Sequence, residues 1–308
     1  MSIRRLLAYG AIYFLWGGSF LGIRELVAVI PPFFAAGFRF TLAGLVLIGF
    51  SHLRGQTEMP RGSRIGVSTL GVIMFTLMYA ALFWGEILVP SGIAAVISAM
   101  IPVWIFIGEL AILRTQKATL LAVAGVVLGF AGVVVLAWEA PLSHSGSGAR
   151  ASTLAVLVLI GGTFCWSGGT LLSRRLTLPK PQTLNAGWQM AVGGGLLFLL
   201  SAMAGELRRL PALHVMLRPT LIFSMAYLVF AASIVTFTAY VWLIAHEPAT
   251  RVASYAYVNP VIALFAGAVL AGERLSALQL VGVLLVLAGV FATLTGKQVV
   301  PAARKVAV

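Results

Sequence analysis

Ten apolar runs of about twenty residues follow one another along the chain, and they constrain its fold more than any other feature. They lie at roughly 6–27, 32–53, 66–85, 91–113, 118–138, 152–173, 183–204, 219–243, 248–271 and 275–296. A helix needs about 20 apolar residues to cross the hydrocarbon core of a bilayer, so each run can span. Pro31 and Pro32, Pro90, the pair Pro179 and Pro181, Pro219 and Pro248 punctuate them. Only 9% of the residues are charged, against about 25% in a soluble domain. The chain is therefore read as an all-α integral membrane protein of ten transmembrane helices. "MSIRR" leads directly into the first run, so no cleavable leader is expected.

Lysine and arginine near the helix ends set the orientation. With the N-terminus inside, 14 of these residues fall on the inner side and 6 on the outer, and all four lysines are inside. Three outer arginines between 206 and 218 oppose this reading without outweighing it. Both termini are expected in the cytoplasm. The net charge of +13 then reflects orientation and lipid headgroups, and no nucleic-acid partner is expected.

The first run contains "FLWGGSFLGIREL" and the sixth "FCWSGGTLLSRRL". Phe14, Trp16, Gly18, Leu21, Arg24 and Leu26 recur 150 residues later as Phe164, Trp166, Gly168, Leu171, Arg174 and Leu176. Pro31 and Gly44 match Pro181 and Gly194 at the same offset. At an offset of 158, Trp84, Pro90 and Pro102 match Trp242, Pro248 and Pro260; at 157, Gly125 and Gly132 match Gly282 and Gly289. The chain is two copies of a five-helix unit. Five is odd, so the second copy enters the membrane from the opposite side. The expected organisation is two inverted five-helix repeats, 1–138 and 152–296, with an external linker at 139–151 and a cytoplasmic tail at 297–308. Inverted repeats place a substrate site near the midplane where the halves meet.

This layout, with "LWGGSF" in the first run and "YVNPVIALFAGAVLAGERL" at 257–275, resembles the drug/metabolite transporter superfamily and its EamA-domain exporters. The resemblance covers nearly the whole chain. The first half departs from it in reading "ILRTQKAT" where the second reads "AGERLS", without the acidic residue. Within the family the chain looks most like the YddG-type exporters of aromatic and other amino acids. The resemblance implies an inner-membrane exporter of small metabolites that works by alternating access through a central cavity. It also contributes to choosing the first, third, fourth, sixth, eighth and ninth helices as cavity walls.

Tryptophan and tyrosine favour membrane interfaces, yet Trp16 is the eleventh residue of its run and Trp166 also lies well inside one. Small neighbours such as Gly17, Gly18 and Ser19 suit close helix packing; the same group suits an aromatic cavity wall. The third run carries Phe75, Tyr79 and Phe83 at four-residue steps, flanked by Met74 and Met78. The eighth carries Ser233, Thr236, Phe237 and Tyr240 at three- and four-residue steps. Such stripes are more often plain core, but hydroxyls at membrane depth need partners. "SYAYVNP" places Tyr255 and Asn259 just before Pro260, which leaves a carbonyl one turn earlier unbonded. Pro102, after Ser98, marks the matching place in the fourth run. The two prolines are candidate hinges, with plain kinks as the alternative.

Charges inside a membrane are costly and point to function. Arg39 lies within the second run, and its repeat partner is Gln189, also a donor. Of the eight glutamates, only Glu109, near the inner end of the fourth run, is read as an intramembrane group. It is the candidate coupling residue; snorkelling or pairing with inner-surface basic residues is the plainer role. The candidate cavity residues are thus Trp16, Ser19, Arg39, Met78, Tyr79, Phe83, Ser98, Trp166, Gln189, Thr236, Phe237, Tyr240, Tyr255 and Asn259.

The chain contains no aspartate, no G-x-x-x-x-G-K-[ST] loop and no H-E-x-x-H motif, and its four histidines sit at run ends or in links. Those absences remove the chemistry of ATP-driven transport, aspartyl intramembrane proteolysis and zinc proteolysis. Ser19 and Ser167 have no histidine at their depth to make a hydrolase. Cys165 is the single cysteine, so neither an intramolecular disulfide nor a multi-cysteine metal site is possible. No enzymatic activity, cofactor or metal is expected. The expected partners are the lipid bilayer and a small-molecule substrate, with the monomer as the working unit. A nucleotide-sugar or sugar-phosphate exchanger would want several cavity cations, and only Arg39 is available. A drug-cation exchanger is a further alternative. Facilitated efflux is the sparsest energy scheme, with proton antiport through Glu109 as its rival.

Overall fold

The computed structural model describes residues 2–89, 91–114, 119–138, 147–271 and 276–295. Pro90, Glu273, the linker segment 139–146 and the tail at 297–308 lie outside the described residues. Ten long helical segments track the apolar runs. They are α1 Ile3–Val27, α2 Pro32–Leu53, α3 Ser63–Leu88 and α4 Ile93–Leu113, then α5 Leu120–Trp138 and α6 Ser147–Ser173. Next come α7 Gln182–Met203 and α8 Pro219–His246, and α9, Ala249–Ala253 continued by Tyr255–Ala271. The last is α10, Ala277–Thr295. Among the described residues, seven helices are long and apolar enough to cross a membrane, and α5 and α10 add shorter apolar stretches. No strand occurs among those residues. Helices α2 and α8 each begin on a proline, which has no N–H to leave unpaired in a first turn. Helix α6 already begins at Ser147, inside the expected 139–151 linker.

The repeat is visible in how equivalent helices meet. Helices α2 and α7 run antiparallel: Gly37 meets Phe198, Gly44 meets Ala191, and Ile48 meets Gly187. Helices α5 and α10 do the same, with Gly132 against Val286 and Gly129 against Gly289. Repeat-related helices passing in opposite directions are the product of a two-fold axis in the membrane plane. The approach is backbone to backbone: a Cβ on Gly44 would stand 2.5 Å from Ala191 N.

Each half also exchanges its first helix. Helix α1 packs on α8 and α9 of the second half, and α6 packs on α3 and α4 of the first. That exchange carries Trp16 and Trp166 into one shared interior. Local irregularities then aim the side chains. Widened, π-type turns occupy Ala11–Leu15 in α1, Gly71–Leu77 in α3 and Tyr227–Val235 in α8. An extra residue in a turn rotates the remainder of the helix by about 100°. Trp16, Met78 and Thr236 are the first residues beyond those turns.

Candidate functional site

One central cavity gathers residues from both halves. Trp16 and Ser19 of α1 face Met78 and Tyr79 of α3, and Ser98 of α4 lies beside them. The second half contributes Trp166 of α6 with Tyr255 and Asn259 of α9, while Phe20, Leu82 and Ile101 complete the wall. The cavity volume is about 30 Å³, enough for a water molecule but far below the roughly 300–1,000 Å³ of a ligand pocket. In this arrangement the halves have closed around it.

Its rings hold one another in place. Trp16 and Trp166 meet edge to face with centroids 5.6 Å apart. Trp16 lies 4.6 Å from Tyr255 and 5.3 Å from Tyr240, and Trp166 lies 5.4 Å from Tyr240 and 6.1 Å from Tyr79. Trp16 Nε1 donates to the Ala232 carbonyl at 2.8 Å, inside the widened stretch of α8, and Ser19 Oγ donates to the Trp16 carbonyl at 2.7 Å. The repeat-related Trp166 Nε1 reaches toward the Tyr240 and Tyr255 hydroxyls without closing a well-aligned hydrogen bond among the described residues, and Asn259 Oδ1 has no donor. A donor and an acceptor left open on residues of one cavity are what a small polar solute completes.

A second space, about 450 Å³, opens on the face that carries the N-terminus. Arg5 pairs with Glu247 at 3.3 Å on this face. Asn185 and Gln189 of α7 line it with Phe237, Tyr240 and Ile244 of α8, and Arg174 and Lys180 stand at its edge. Gln189 Nε2 donates to Asn185 Oδ1 at 2.8 Å. Phe237 and Tyr240 stack at 5.7 Å, and Tyr240 touches both cavity tryptophans. These two rings form the floor between vestibule and cavity.

The candidates thus separate into groups. Gln189, Phe237 and Tyr240 line the vestibule, and most of the others line the cavity. Arg39, Phe83 and Thr236 line neither. Arg39 is 1% exposed, lies over the rings of Phe40 and Tyr79 at 4.6 and 5.3 Å, and donates from Nε to Ser233 Oγ at 2.9 Å. Phe83 is buried beside Tyr79. Thr236 Oγ1 donates to the Ala231 carbonyl at 2.7 Å, closing the widened turn. Ahead of Pro102 and Pro260 the helices tighten at matching places: Ala99 N donates to Val96 O at 3.0 Å, and Tyr257 N to Ser254 O at 3.1 Å. The backbone irregularity lies about one turn before each proline.

Glu109 sits against the start of another helix. Its carboxylate accepts from Ala249 N at 3.0 Å and Thr250 N at 3.1 Å, and from the Thr250 hydroxyl. An anion there meets the unpaired N–H groups and the positive end of the α9 dipole. Glu206 does the same for α2, accepting from Phe34 N at 2.9 Å and Phe33 N at 3.3 Å.

One buried acid is not apparent from the sequence pattern. Glu86 is fully buried in α3, so Glu109 is not the one glutamate inside a span. The apolar run stops at 85 because residue 86 is charged, whereas the helix continues to Leu88. The signal is its spacing: Tyr79, Leu82 and Glu86 succeed one another at three and four residues, on the cavity-facing stripe. Both Glu86 carboxylate oxygens lack hydrogen-bond partners among the described residues.

The repeated arginines make equivalent contacts. Arg24 Nη1 donates to the Glu86 carbonyl and, at 3.4 Å, to the Val89 carbonyl at the end of α3. Arg174 Nη1 donates to the Glu247 carbonyl at 2.9 Å and the Ile244 carbonyl at 3.5 Å at the end of α8. These are the same positions at the 158-residue offset, so each half ties its first helix to its third in the same way. Among the described residues, no group of three or more His, Cys, Asp or Glu could hold a metal ion.

Comparison with known proteins agrees with this geometry. The profile of the EamA-like transporter family matches residues 6–138 and again 153–295. The chain is 33% identical over 309 residues to "Uncharacterized inner membrane transporter YedA" of Escherichia coli (strain K12), covering 98% of this chain and 95% of that one. It is 27% identical over 294 residues to "Probable amino-acid metabolite efflux pump" of Salmonella typhimurium, covering 94% of each. A solved crystal structure superposes with a TM-score of 0.75 at 18% identity, covering 95% of this chain and 96% of that one; at that identity the likeness is one of fold.

Proposed function

The chain belongs to the EamA-like transporter family, and from that premise we propose that it exports amino acids, aromatic ones included, across the inner membrane. The observation that carries this reading is the aromatic cavity shared by the two halves, with an incompletely satisfied donor on Trp166 and an open acceptor on Asn259. Rings stack on aromatic side chains, while the free polar atoms suit a backbone-like headgroup. The name of the Salmonella relative points the same way.

Transport is by alternating access. Substrate enters the vestibule on the N-terminal face, which is cytoplasmic, and passes the Phe237–Tyr240 floor into the expanding central cavity. The halves then rock about the tightened turns before Pro102 and Pro260, and the opposite face opens. The Arg24 and Arg174 ties lie within each half and persist through the motion. The driving force is the metabolite's own gradient. Counterflow in proteoliposomes tests the substrate: labelled phenylalanine should accumulate saturably and be competed by other amino acids. No movement of any amino acid, with counterflow of a sugar phosphate instead, overturns the reading.

A further inference from the structure

The vestibule on the N-terminal face has an image in the other half. Shifting Asn185 and Gln189 back by 150 residues gives Ala35 and Arg39; shifting Phe237, Tyr240 and Ile244 back by 158 gives Tyr79, Leu82 and Glu86. Helices α2 and α3 hold these residues toward the opposite face, as α7 and α8 hold theirs toward the N-terminal one. The image is shut in this structure. Ile23, Leu26 and Ala35 have no exposure, Glu86 has none and Arg39 has 1%. Leu228 of α8 closes against Gly22 of α1.

What is shut there is chemically odd. The open vestibule carries a neutral amide at Gln189 and an apolar side chain at Ile244. The shut one carries a basic and an acidic side chain at the corresponding positions. Neither side chain is fully satisfied where it lies: both Glu86 oxygens and Arg39 Nη1 lack hydrogen-bond partners among the described residues. Incompletely partnered ionisable side chains in a membrane protein interior are costly and persist where another state uses them. Inverted repeats supply such a state, because exchanging the arrangements of the halves opens the image of whatever is now open.

We propose that Arg39 and Glu86 line an exit vestibule, opened on the face opposite the N-terminus when the halves exchange arrangements, and that it receives a zwitterion. The substrate's carboxylate meets the Arg39 guanidinium and its ammonium meets Glu86. This deepens the amino-acid reading and rests on it for the substrate, though not for the vestibule. Entry past the Asn185 and Gln189 amides, with Arg174 and Lys180 only at the rim, and exit past Arg39 and Glu86 give the two sides of the route different affinities for one molecule.

Two measurements test it. In a Cys165→Ala background, Glu86→Cys and separately Leu82→Cys are reconstituted and treated with a membrane-impermeant maleimide. Both should label from the face opposite the N-terminus, and Ile244→Cys from the N-terminal face. If neither Glu86→Cys nor Leu82→Cys labels from the opposite face in protein that still transports, the exit vestibule does not exist. The second measurement compares counterflow of phenylalanine, its amide, which lacks the carboxylate, and 3-phenylpropionate, which lacks the ammonium. Arg39→Gln should lower the phenylalanine-to-amide flux ratio at least about tenfold, and Glu86→Gln the phenylalanine-to-phenylpropionate ratio by a similar factor. Equal losses for all three compounds make both residues structural and overturn the zwitterion assignment. A wild-type protein that moves no amino acid sinks the exporter reading instead, and labelling still decides the vestibule.

Discussion

Replacing Glu109 tests whether its role is to cap α9 or to carry protons. Glu109→Ala removes the acceptor for Ala249 N, Thr250 N and the Thr250 hydroxyl, and all three donors sit in residues that are at most 1% exposed. Losing a cap costs about 0.5–2 kcal/mol, and each buried donor left unpaired about 1–3 kcal/mol. The effects overlap, so the expected loss is about 2–4 kcal/mol. Glu109→Gln keeps one carbonyl oxygen but turns an NH₂ group toward the second donor, and should cost about 1–2 kcal/mol. Equilibrium unfolding in mixed micelles measures both losses. In proteoliposomes, Glu109→Gln should keep most of the flux, and that flux should persist when the pH gradient is collapsed at constant membrane potential. The opposite pattern is a Gln variant as stable as wild type that loses uphill accumulation driven by an imposed pH gradient. It would make Glu109 a coupling residue and refute the capping account.

The other predictions use the same structure. Trp16→Phe, which abandons the bond to the Ala232 carbonyl, should lower stability by about 1–2 kcal/mol in an unfolding titration. Trp166→Phe removes an N–H that closes no well-aligned hydrogen bond among the described residues, so it should instead raise the apparent KM for counterflow, by up to about tenfold. Gly44→Val should prevent normal α2–α7 packing and cost about 2–4 kcal/mol, whereas Gly49→Val, with nothing within 4 Å of its Cβ position, should not; retained monodisperse protein after heating separates the two. Arg174→Ala should cost about 1 kcal/mol at the partly exposed end of α8 and leave substrate selectivity unchanged in competition assays. With Cys165→Ala, Lys180→Cys should label only from the cytoplasm; labelling from outside would invert the topology.

Much of the fold is legible in the sequence because few structures satisfy its pattern. Ten apolar runs can only become spanning helices, and the 150- to 158-residue echoes require an inverted pair. The antiparallel crossing of Gly44 with the α7 backbone is the structural image of the Gly44–Gly194 match. Less legible is the exchange of first helices. It depends on which surfaces pack across the halves, and runs apolar on every side carry little stripe to reveal it. The aromatic residues do converge as a set, but Phe83 and Thr236 show the limit of spacing arguments. Both lie beyond the widened turns, on regular helix: at about 100° per residue Leu82 falls between Met78 and Tyr79 while Phe83 is carried past Tyr79, and Thr236 turns its hydroxyl back to the Ala231 carbonyl. Glu86 is hidden for a related reason: hydropathy stops a span at a charge, although a helix can carry that charge inward when a cavity or partner awaits it.

The placement of charge also bears on how transport is driven. A proton-coupled carrier needs one titratable group that meets both sides of the membrane in turn. Glu109 lines neither the cavity nor the open vestibule; its described contacts bind the start of α9. Glu86 belongs, in the proposed cycle, to the exit side alone, because its counterpart on the entry side is Ile244. The central cavity is lined by Trp, Tyr, Ser, Asn, Met and other aliphatic or aromatic residues, with no acid or histidine among the described ones. A group able to take a proton on one face and release it on the other is therefore missing from the route as described. In the proposed cycle the substrate's gradient moves the halves, and the difference in lining between the vestibules governs capture and release, not energy supply.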